Sequence, residues 1–329
     1  MTRAYLAFTE RGVALAGRLA EALPGSVSRC GKQGVPLAAW TAQQFAQSDA
    51  LIFVGAAGIA VRAIAPHCRS KATDPAVVVV DECGRFAVPI LSGHLGGAND
   101  LARELAAACG AVPVITTATD VNGLFAVDEW AKKQQCTVLE VAKIKEVSGK
   151  LLAGRSAACW SEFPISGSMP AGVRMAGAQE EADFALTLFP QGDALHLVPK
   201  IGVLGIGCRR GTPAERLEQE AASFCKQHGL ALQAIAAAAS IDLKQNEAGL
   251  LEFCKKHHWN VTFYSADQLR AAPGVYTPSA FVQSVTGVDN VCERAAVLAA
   301  GGILRLRKYA AGGVTFALAQ MPYLPDWRK

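Results

Sequence analysis

The sequence predicts an α/β protein built from three parts. Residues 1–136 are predicted to form a mostly parallel sheet with helices on both faces, because short β-rich runs alternate with helical patterns there. The pattern loosens over residues 137–200, where turn residues separate short strand-like runs, and this segment is predicted to be a small α/β linking domain. A fresh strand at residue 201 opens a second α/β domain that continues to residue 329.

The elements of the N-terminal part follow one another closely. Its clearest helix covers residues 98–109, where apolar side chains form one face and polar side chains the other, and Gly110 is expected to end it. Residues 112–116 are predicted to be a buried strand. The other predicted strands are residues 4–8, 26–29, 51–54, 76–81 and 86–91, and the other predicted helices are residues 12–23, 41–47 and 125–135, with a short one after Gly58.

The middle and C-terminal parts hold fewer regular patterns. A helix is predicted at residues 141–152, and strands are predicted near Ala157, Phe184 and Leu195. Thr212 is expected to cap a helix that has Pro213 at its first position. The remaining predictions are strands at 201–205 and 231–241, a helix at 245–257, helical segments within 278–302, and a hairpin at 303–320 across Gly312 and Gly313.

Composition and charge exclude several classes of protein. Hydrophobic residues make up 51% and charged residues 18%, which excludes a disordered chain. The net charge of +4 comes without a basic run, so no nucleic-acid partner is expected. The longest apolar run, residues 51–61, is too short to cross a membrane, and charged residues interrupt residues 1–25 where a signal peptide would need an apolar core. We therefore expect a cytoplasmic protein without a membrane partner.

The ten cysteines are spaced singly, with no C-x-x-C pair. In a hydrophobic chain of this length they are predicted to be reduced thiols. Neither they nor the six histidines have the spacing of a zinc or iron-sulfur site, so no metal ligands are expected. Neither a phosphate-binding loop nor a full dinucleotide fingerprint is found in the sequence, which argues against a nucleotide-dependent enzyme.

Ligands of open α/β sheets gather beyond the carboxyl ends of the strands, so the loops after the strands are candidate sites. The first candidate is the loop at 55–58, where Gly55 and Gly58 would let backbone amides approach an anion near Arg62. The alternative is an ordinary tight turn between a strand and a helix, and the sequence leaves both open.

The second candidate is the loop at 91–100, directly before the clearest helix. His94 is a possible proton-transfer group there, and Ser92, Asn99 and several glycine amides surround it in sequence. The alternative makes Ser92 and Asn99 helix caps and leaves His94 exposed or satisfied in the core. A serine-hydrolase elbow is not expected, because the G-x-S-x-G frame is missing around Ser92.

The third candidate is the loop at 116–123, which contains Thr117, Asp120 and Asn122. Asp120 and Asn122 are suited to orient His94 or a water molecule if the strands before the two loops are neighbours. Both are also ordinary turn residues, which is the alternative interpretation.

Two further candidates lie in the C-terminal part. Arg209 and Arg210, which follow Gly207 after a strand, are suited to bind carboxylates in a bidentate manner, although solvated surface arginines are the alternative. Thr286 and Gly287 come before another helix, where they would complete a cleft or simply start that helix.

Three N-terminal segments together point to a known family. The segments GAAGIAVRAIAP at 55–66, LSGHLGGAND at 91–100 and TTATD at 116–120 resemble the N-terminal domain of the cobalt-precorrin-5A hydrolases, the CbiG proteins of anaerobic cobalamin biosynthesis. The segments GIGCRRGT at 205–212, SIDLK at 240–244 and TGVDNVCE at 286–293 resemble the last domain of that family, which is similar to the separate CobE protein of the aerobic pathway. The resemblance spans nearly the whole chain and is least specific in the middle.

The resemblance implies a reaction on a tetrapyrrole. The ring A acetate δ-lactone of cobalt-precorrin-5A is opened by water, and the C20 carbon leaves with its methyl group as acetaldehyde to give cobalt-precorrin-5B. The substrate carries its own cobalt, so the resemblance implies no cofactor held by the protein. Neighbouring methyltransferases of the corrin pathway are the expected protein partners, and the oligomeric state is left open.

With this reaction in view, we assign expected roles to the loop residues. His94 is the expected proton-transfer residue, Asp120 its orienting partner or a second base, and Ser92 a further catalytic residue. The amides of Gly93, Gly96 and Gly97 are the expected oxyanion donors. Arg62, Arg209 and Arg210 are expected to bind the acidic side chains of a macrocycle held between two lobes. The other residues expected to bind substrate are Gly55, Gly58, Asn99, Thr117, Asn122, Gly207, Thr286 and Gly287. The competing hypothesis is a carrier that binds a corrin intermediate without chemistry.

Overall fold

A computed structural model describes residues 1–70 and 73–328. The chain divides into two compact units: Met1–Lys132 with Ile144–Arg155 form the first, and Lys133–Lys143 with Ser156–Lys329 form the second. Within the described residues, no helix has both the length and the apolar character needed to cross a membrane. The domain boundaries predicted after residues 136 and 200 stay predictions.

The first unit is a six-stranded sheet covered by helices. Its strand order is β2-β1-β3-β4-β5-β6, and neighbouring strands are parallel except for the β4–β5 pair. The predicted mostly parallel sheet is therefore confirmed. The strands are β1 (Arg3–Ala7), β2 (Ser26–Arg29), β3 (Ala50–Val54), β4 (Ala76–Val80), β5 (Phe86–Leu91) and β6 (Val112–Pro113). The helices are α1 (Glu10–Ala22), α2 (Leu37–Gln47), α3 (Ala57–Ile64), α4 (Ala98–Cys109), α5 (Ala118–Val121), α6 (Val127–Lys133) and α7 (Ile144–Leu152).

Both faces of the central strands carry apolar side chains because helices cover both faces of the sheet. Alternate residues of a strand point to opposite faces, so β3 sends Ile52 and Val54 into one core and Leu51 and Phe53 into the other. The first core is closed by α1 and α4, and the second by α2 and α3. Continuous hydrophobic runs in the sequence are the consequence of this double coverage.

The reversed direction of β5 decides which loops share an edge of the sheet. The β5 strand is antiparallel to β4, with Val77 opposite Leu91, so the loop after β5 lies at the edge where β3 and β4 begin. The loop after β3, which starts at Gly55, lies at the opposite edge. The expectation that Gly55, Gly58 and Arg62 line the same site as His94 is therefore wrong, because the sheet separates the two loops.

The second unit contains two five-stranded sheets. The first has the order β7-β11-β10-β8-β9, and the second has the order β14-β13-β12-β16-β15. The strands are β7 (Cys136–Val138), β8 (Ala157–Ser161), β9 (Val173–Met175), β10 (Phe184–Leu186), β11 (Leu195–Pro199), β12 (Gly202–Cys208), β13 (Ile235–Ile241), β14 (Asn260–Tyr264), β15 (Ile303–Ala311) and β16 (Val314–Gln320). The helices are α8 (Ala214–His228), α9 (Ala248–Lys256), α10 (Ala266–Ala271), α11 (Ala280–Thr286) and α12 (Cys292–Ala300).

Several predicted elements need correction, mostly at sheet edges. The β6 strand has two exposed residues instead of the predicted buried run at 112–116, because it is an edge strand with a single neighbour. The strands β7, β9 and β14 were not predicted, and all three are edge strands. Thr212 does not cap α8: Pro213 precedes the helix, and the Thr212 hydroxyl donates to the Arg209 carbonyl. The predicted hairpin is confirmed, with Gly312 and Gly313 in the left-handed region between β15 and β16.

Candidate active site

The candidate site is built on the loop between β5 and α4. Ser92 has a φ of 56° and Gly97 a φ of 86°, so the loop turns sharply before the helix begins at Ala98. The carbonyl groups of Ser92 and Gly93 accept hydrogen bonds from the amides of Ala98 and Asn99. The first turn of α4 therefore fixes the loop that carries His94.

The His94 imidazole lies between two carboxylates. Its Nε2 is 2.8 Å from Oδ2 of Asp120, and its Nδ1 is 3.1 Å from Oδ1 of Asp128. The three side chains are 10%, 9% and 7% exposed, so water screens these charges only in part. Asp120 lies on α5 and Asp128 in the first turn of α6, so three elements meet at one ring.

The two carboxylates set the charge of the ring. Burial disfavours the charged imidazole, but the hydrogen bonds and negative charges of Asp128 and Asp120 outweigh it and raise the pKa of His94 to about 9. At neutral pH the ring is an imidazolium, and both of its nitrogens are donors. It is therefore suited to give a proton or to stabilise an oxyanion, and it is not suited to take a proton from water.

Asp120 is held by donors on both oxygens. Its Oδ2 accepts from Asn99 Nδ2 at 3.1 Å as well as from His94, and its Oδ1 accepts from the Arg103 guanidinium at 2.5 Å. Burial opposes ionisation, but the hydrogen bonds from His94 and Arg103 keep the pKa of Asp120 below its usual range. Of the two roles expected for Asp120, these contacts favour the orienting partner over the second base.

Two residues of this network were missed by sequence reasoning. Asp128 lies near the start of the helix predicted at 125–135, and Arg103 lies on the polar face of the helix predicted at 98–109, but neither is among the candidate site residues. A signal for Arg103 was present, because Asn99 and Arg103 are four residues apart and so share a helix face. Asp128 gave no such signal, since an acidic residue in a first helical turn is favourable wherever it points.

The Ser92 hydroxyl is committed to the backbone. It is buried and donates to the Asp74 carbonyl at 3.0 Å, while both nitrogens of His94 face carboxylates. The structure therefore does not pair Ser92 with His94, and the expected catalytic role of Ser92 is replaced by a structural one.

The glycines of the loop make room for its close packing. A Cβ on Gly93 would lie 2.8 Å from Oδ1 of Asn99, whose amide reaches both Thr117 at 3.0 Å and Asp120. Thr117 therefore joins the network, and its expected contact with substrate stays a prediction. Asn122 does not: it is exposed, and its side chain donates to the Ala118 carbonyl at the end of α5.

Gly96→Ala is expected to lower the free energy of unfolding of the first unit by about 1 to 3 kcal/mol. The new Cβ would lie 2.3 Å from Cβ and 2.7 Å from the carbonyl oxygen of Ser92, and neither atom can move without moving the loop. Equilibrium urea unfolding measures the change. Gly17→Ala in α1 is the control, because no atom lies within 4 Å of the added Cβ and stability should be unchanged or slightly higher. Equal stability of the two variants would contradict the packing argument.

One group in this region has the composition of a metal site. His94, Asp120 and Glu129 each offer one ligand atom, and these atoms lie within 4.8 Å of one another. Both ring nitrogens of His94 already face the carboxylates of Asp120 and Asp128, and the Arg103 guanidinium already pairs with Asp120. The contacts therefore favour an ion-pair network.

In the second unit, the structure agrees with the predicted roles of some candidate residues and not of others. Arg209 and Arg210 are exposed at the end of β12, as a role in binding carboxylates requires. A Cβ on Gly207 would lie 2.5 Å from the Thr315 hydroxyl, so this glycine serves strand packing. Thr286 and Gly287 end α11, with the Thr286 hydroxyl donating to the Val282 carbonyl, so they do not start the next helix, which begins at Cys292.

The cysteines are free thiols. All ten are unpaired, and burial raises the pKa of Cys208, which lies at the end of β12. Burial also raises the pKa of Cys136, Cys159 and Cys254 to about 12. These thiols are therefore poor nucleophiles at neutral pH.

The chain is similar to proteins of cobalamin biosynthesis. The family profile described as Cobalamin synthesis G N-terminal matches residues 39–120, and the profile described as Cobalamin synthesis G C-terminus matches residues 202–319. The chain is 35% identical over 338 aligned positions to the cobalt-precorrin-5A hydrolase of Salmonella typhimurium, covering 96% of each protein. The chain belongs to the cobalt-precorrin-5A hydrolase family.

Further relatives agree with this assignment. The cobalt-precorrin-5A hydrolase of Priestia megaterium is 33% identical over 301 residues, which cover 85% of this chain and 80% of that protein. Protein CobE of Sinorhizobium sp. is 34% identical over 120 residues, which cover 36% of this chain and 78% of CobE. The match to the Cobalamin synthesis G N-terminal profile covers the positions of His94 and Asp120 and ends before Asp128.

Proposed function

We propose that this chain is a cobalt-precorrin-5A hydrolase that opens the ring A acetate δ-lactone and releases acetaldehyde to give cobalt-precorrin-5B. Membership of the family supports the reaction. The observation that carries the site is the His94 imidazolium held between Asp120 and Asp128 at the entrance of α4. Cobalt enters with the substrate in this proposal, and the protein acts in the cytoplasm.

The proposed first step is hydrolysis of the lactone. Water adds to the lactone carbonyl and releases its protons to solvent, the ring C–O bond breaks, and the products are an ionised acetate side chain and a hydroxyl on the C20 carbon. The oxyanion that forms on the carbonyl needs hydrogen-bond donors, and the leaving oxygen needs a proton. His94 is proposed to supply that proton, because its charged ring is a donor at neutral pH. The amides of Gly93, Gly96 and Gly97 are proposed as the oxyanion donors.

The proposed second step breaks a carbon–carbon bond. The C20 hydroxyl loses its proton, its C–O bond becomes the carbonyl of acetaldehyde, and the electron pair of the broken bond returns to the macrocycle. His94, neutral after the first step, is suited to accept that hydroxyl proton and so regain its charge between Asp120 and Asp128. Asp120 is proposed to position the ring throughout, because Asn99 and Arg103 hold its carboxylate in place.

Arg209 and Arg210 are proposed to bind acidic side chains of a tetrapyrrole. Guanidinium groups bind carboxylates in a bidentate manner, and both arginines are exposed at the end of β12. Contact with the neighbouring methyltransferases of the pathway stays a prediction.

Acetaldehyde release tests the proposed function directly. The purified chain, incubated with cobalt-precorrin-5A, is expected to release one acetaldehyde per substrate, trapped as a hydrazone, while the absorption of the pigment changes. Heat-inactivated protein is the control. An absorption change on binding without acetaldehyde would reject the enzyme and support the carrier.

A further inference from the structure

A cavity of about 490 Å³ lies in the first unit beside the His94 loop. Its wall includes Leu95 and Gly96, which directly follow His94 in the chain. The wall also includes Lys132, which lies one helical turn after Asp128 on α6. The loop and the helix that hold the imidazole therefore also form part of this cavity, and Lys132 has no role in the site described so far.

Lys132 is a half-buried ammonium packed against the start of α4. If Gly97 carried a Cβ, that atom would lie 2.0 Å from Nζ of Lys132, so the ammonium occupies the space that a side chain at Gly97 would need. Among residues 1–70 and 73–328, no carboxylate oxygen pairs with Lys132 within 4.0 Å. A partly buried cation without an ion pair is costly, and a bound anion would offset that cost.

The acidic groups in the cavity wall are already hydrogen bonded to their own chain. Asp49 accepts from the Thr2 amide at 2.6 Å, and Asp74 accepts from the amides of Arg69 and Ser70 at 2.9 and 3.1 Å. Burial lowers the pKa of Lys132, although the charges of more distant acids oppose this, namely Asp100, Asp49, Glu104 and Glu129. The wall therefore contains the Lys132 ammonium, which has no close carboxylate partner among the described residues. It also contains carboxylates that already accept hydrogen bonds from backbone amides.

We propose that Lys132 binds a carboxylate side chain of the tetrapyrrole, an acetate or propionate arm, in this cavity and thereby positions the lactone beside His94. The inference rests on the proposed function, from which it takes the substrate. An ammonium offers three donors for charge-assisted hydrogen bonds to a carboxylate. Because Gly97 has no side chain, there is room for the Lys132 ammonium beside it. Lys132 is thus a specificity-determining residue and not a catalytic one.

The test is equilibrium binding of cobalt-precorrin-5A, followed by absorption, in chains that also carry His94→Gln so that turnover does not interfere. Lys132→Met is expected to raise Kd about tenfold, because a charge-assisted contact is lost. Lys132→Arg is expected to restore most of the affinity. Lys133→Met is the matched control, because it removes the same charge from the adjacent exposed position and should leave Kd unchanged.

Two results would overturn the role of Lys132. One is an equal Kd for Lys132→Met and Lys133→Met, and the other is a Lys132→Arg variant that binds as weakly as Lys132→Met. Far-UV circular dichroism and a second variant, Lys132→Gln, separate lost binding from lost folding. With His94 restored, Lys132→Met is expected to raise KM and to change kcat little. Because binding is measured without turnover, a chain that never releases acetaldehyde would refute the proposed function while the Kd values still decide the role of Lys132.

Discussion

His94→Gln is expected to lower the rate of acetaldehyde release by a factor of about 10² to 10⁴. Glutamine is of similar length and can donate a hydrogen bond, but it has no proton to give near neutral pH. The imidazolium that it replaces has a pKa of about 9, set by Asp128 and Asp120 against the effect of burial. The measurement is the rate of hydrazone formation at saturating substrate.

The matched control for this variant is His67→Gln. His67 lies in the same unit, in a single 3₁₀ turn at Ala65–His67, and its ring contacts Phe45 instead of a carboxylate. The same chemical change at this position is expected to leave the rate unchanged. A His94→Gln chain that keeps its far-UV circular dichroism and releases acetaldehyde within a few-fold of the native rate would remove His94 from the mechanism.

The meeting of His94 with Asp120 could be predicted because both follow strands that are neighbours in the chain. Strands β5 and β6 pair in parallel, so the loops that follow them leave the same edge of the sheet. Their side chains are then brought to 2.8 Å by α4 and α5. The glycine-rich sequence before α4 identified this loop, because a tight entrance to a helix needs small residues.

The direction of β5 could not be predicted, and this led to the misplacement of Arg62. An apolar run such as β5 has the same pattern whether it is parallel or antiparallel to its neighbour, since side-chain alternation has no direction. The antiparallel register of the two strands, which pairs Val77 with Leu91 and Val80 with Ala87, shows the reversal. The loop of His94 was therefore grouped with the loop of Gly55, although they lie at opposite edges.

The protonation state of His94 also could not be predicted from the sequence. It depends on Asp128, which is far from His94 in the chain and belongs to another helix. If only one carboxylate faced the ring, His94 would resemble a neutral base that this hydrogen bond holds in one tautomer. With two it is an imidazolium, so the expected proton-transfer residue is a proton donor at neutral pH.

The stability of the first unit is expected to fall as pH rises from about 6.5 to about 9. His94 has a pKa of about 9 in the folded chain and 6.5 as an isolated side chain. Folding therefore favours the protonated ring. This contribution is fully present below pH 6.5 and is lost as the pH passes through the folded pKa. The shift corresponds to at most about 3 kcal/mol, and solvent screening of this partly accessible network reduces the expected loss to about 2 kcal/mol.

The measurement is the free energy of urea unfolding of the first unit at pH 6 and at pH 9.5, for the native chain and for His94→Gln. Other groups titrate in both chains, so the difference between the chains isolates the contribution of His94. The native chain should exceed the variant in stability by about 2 kcal/mol more at pH 6 than at pH 9.5. A difference that does not change with pH would mean that the ring is not held as an imidazolium. In that case Asp120 and Asp128 would not set its charge, and the proposed proton donor would lose its physical basis.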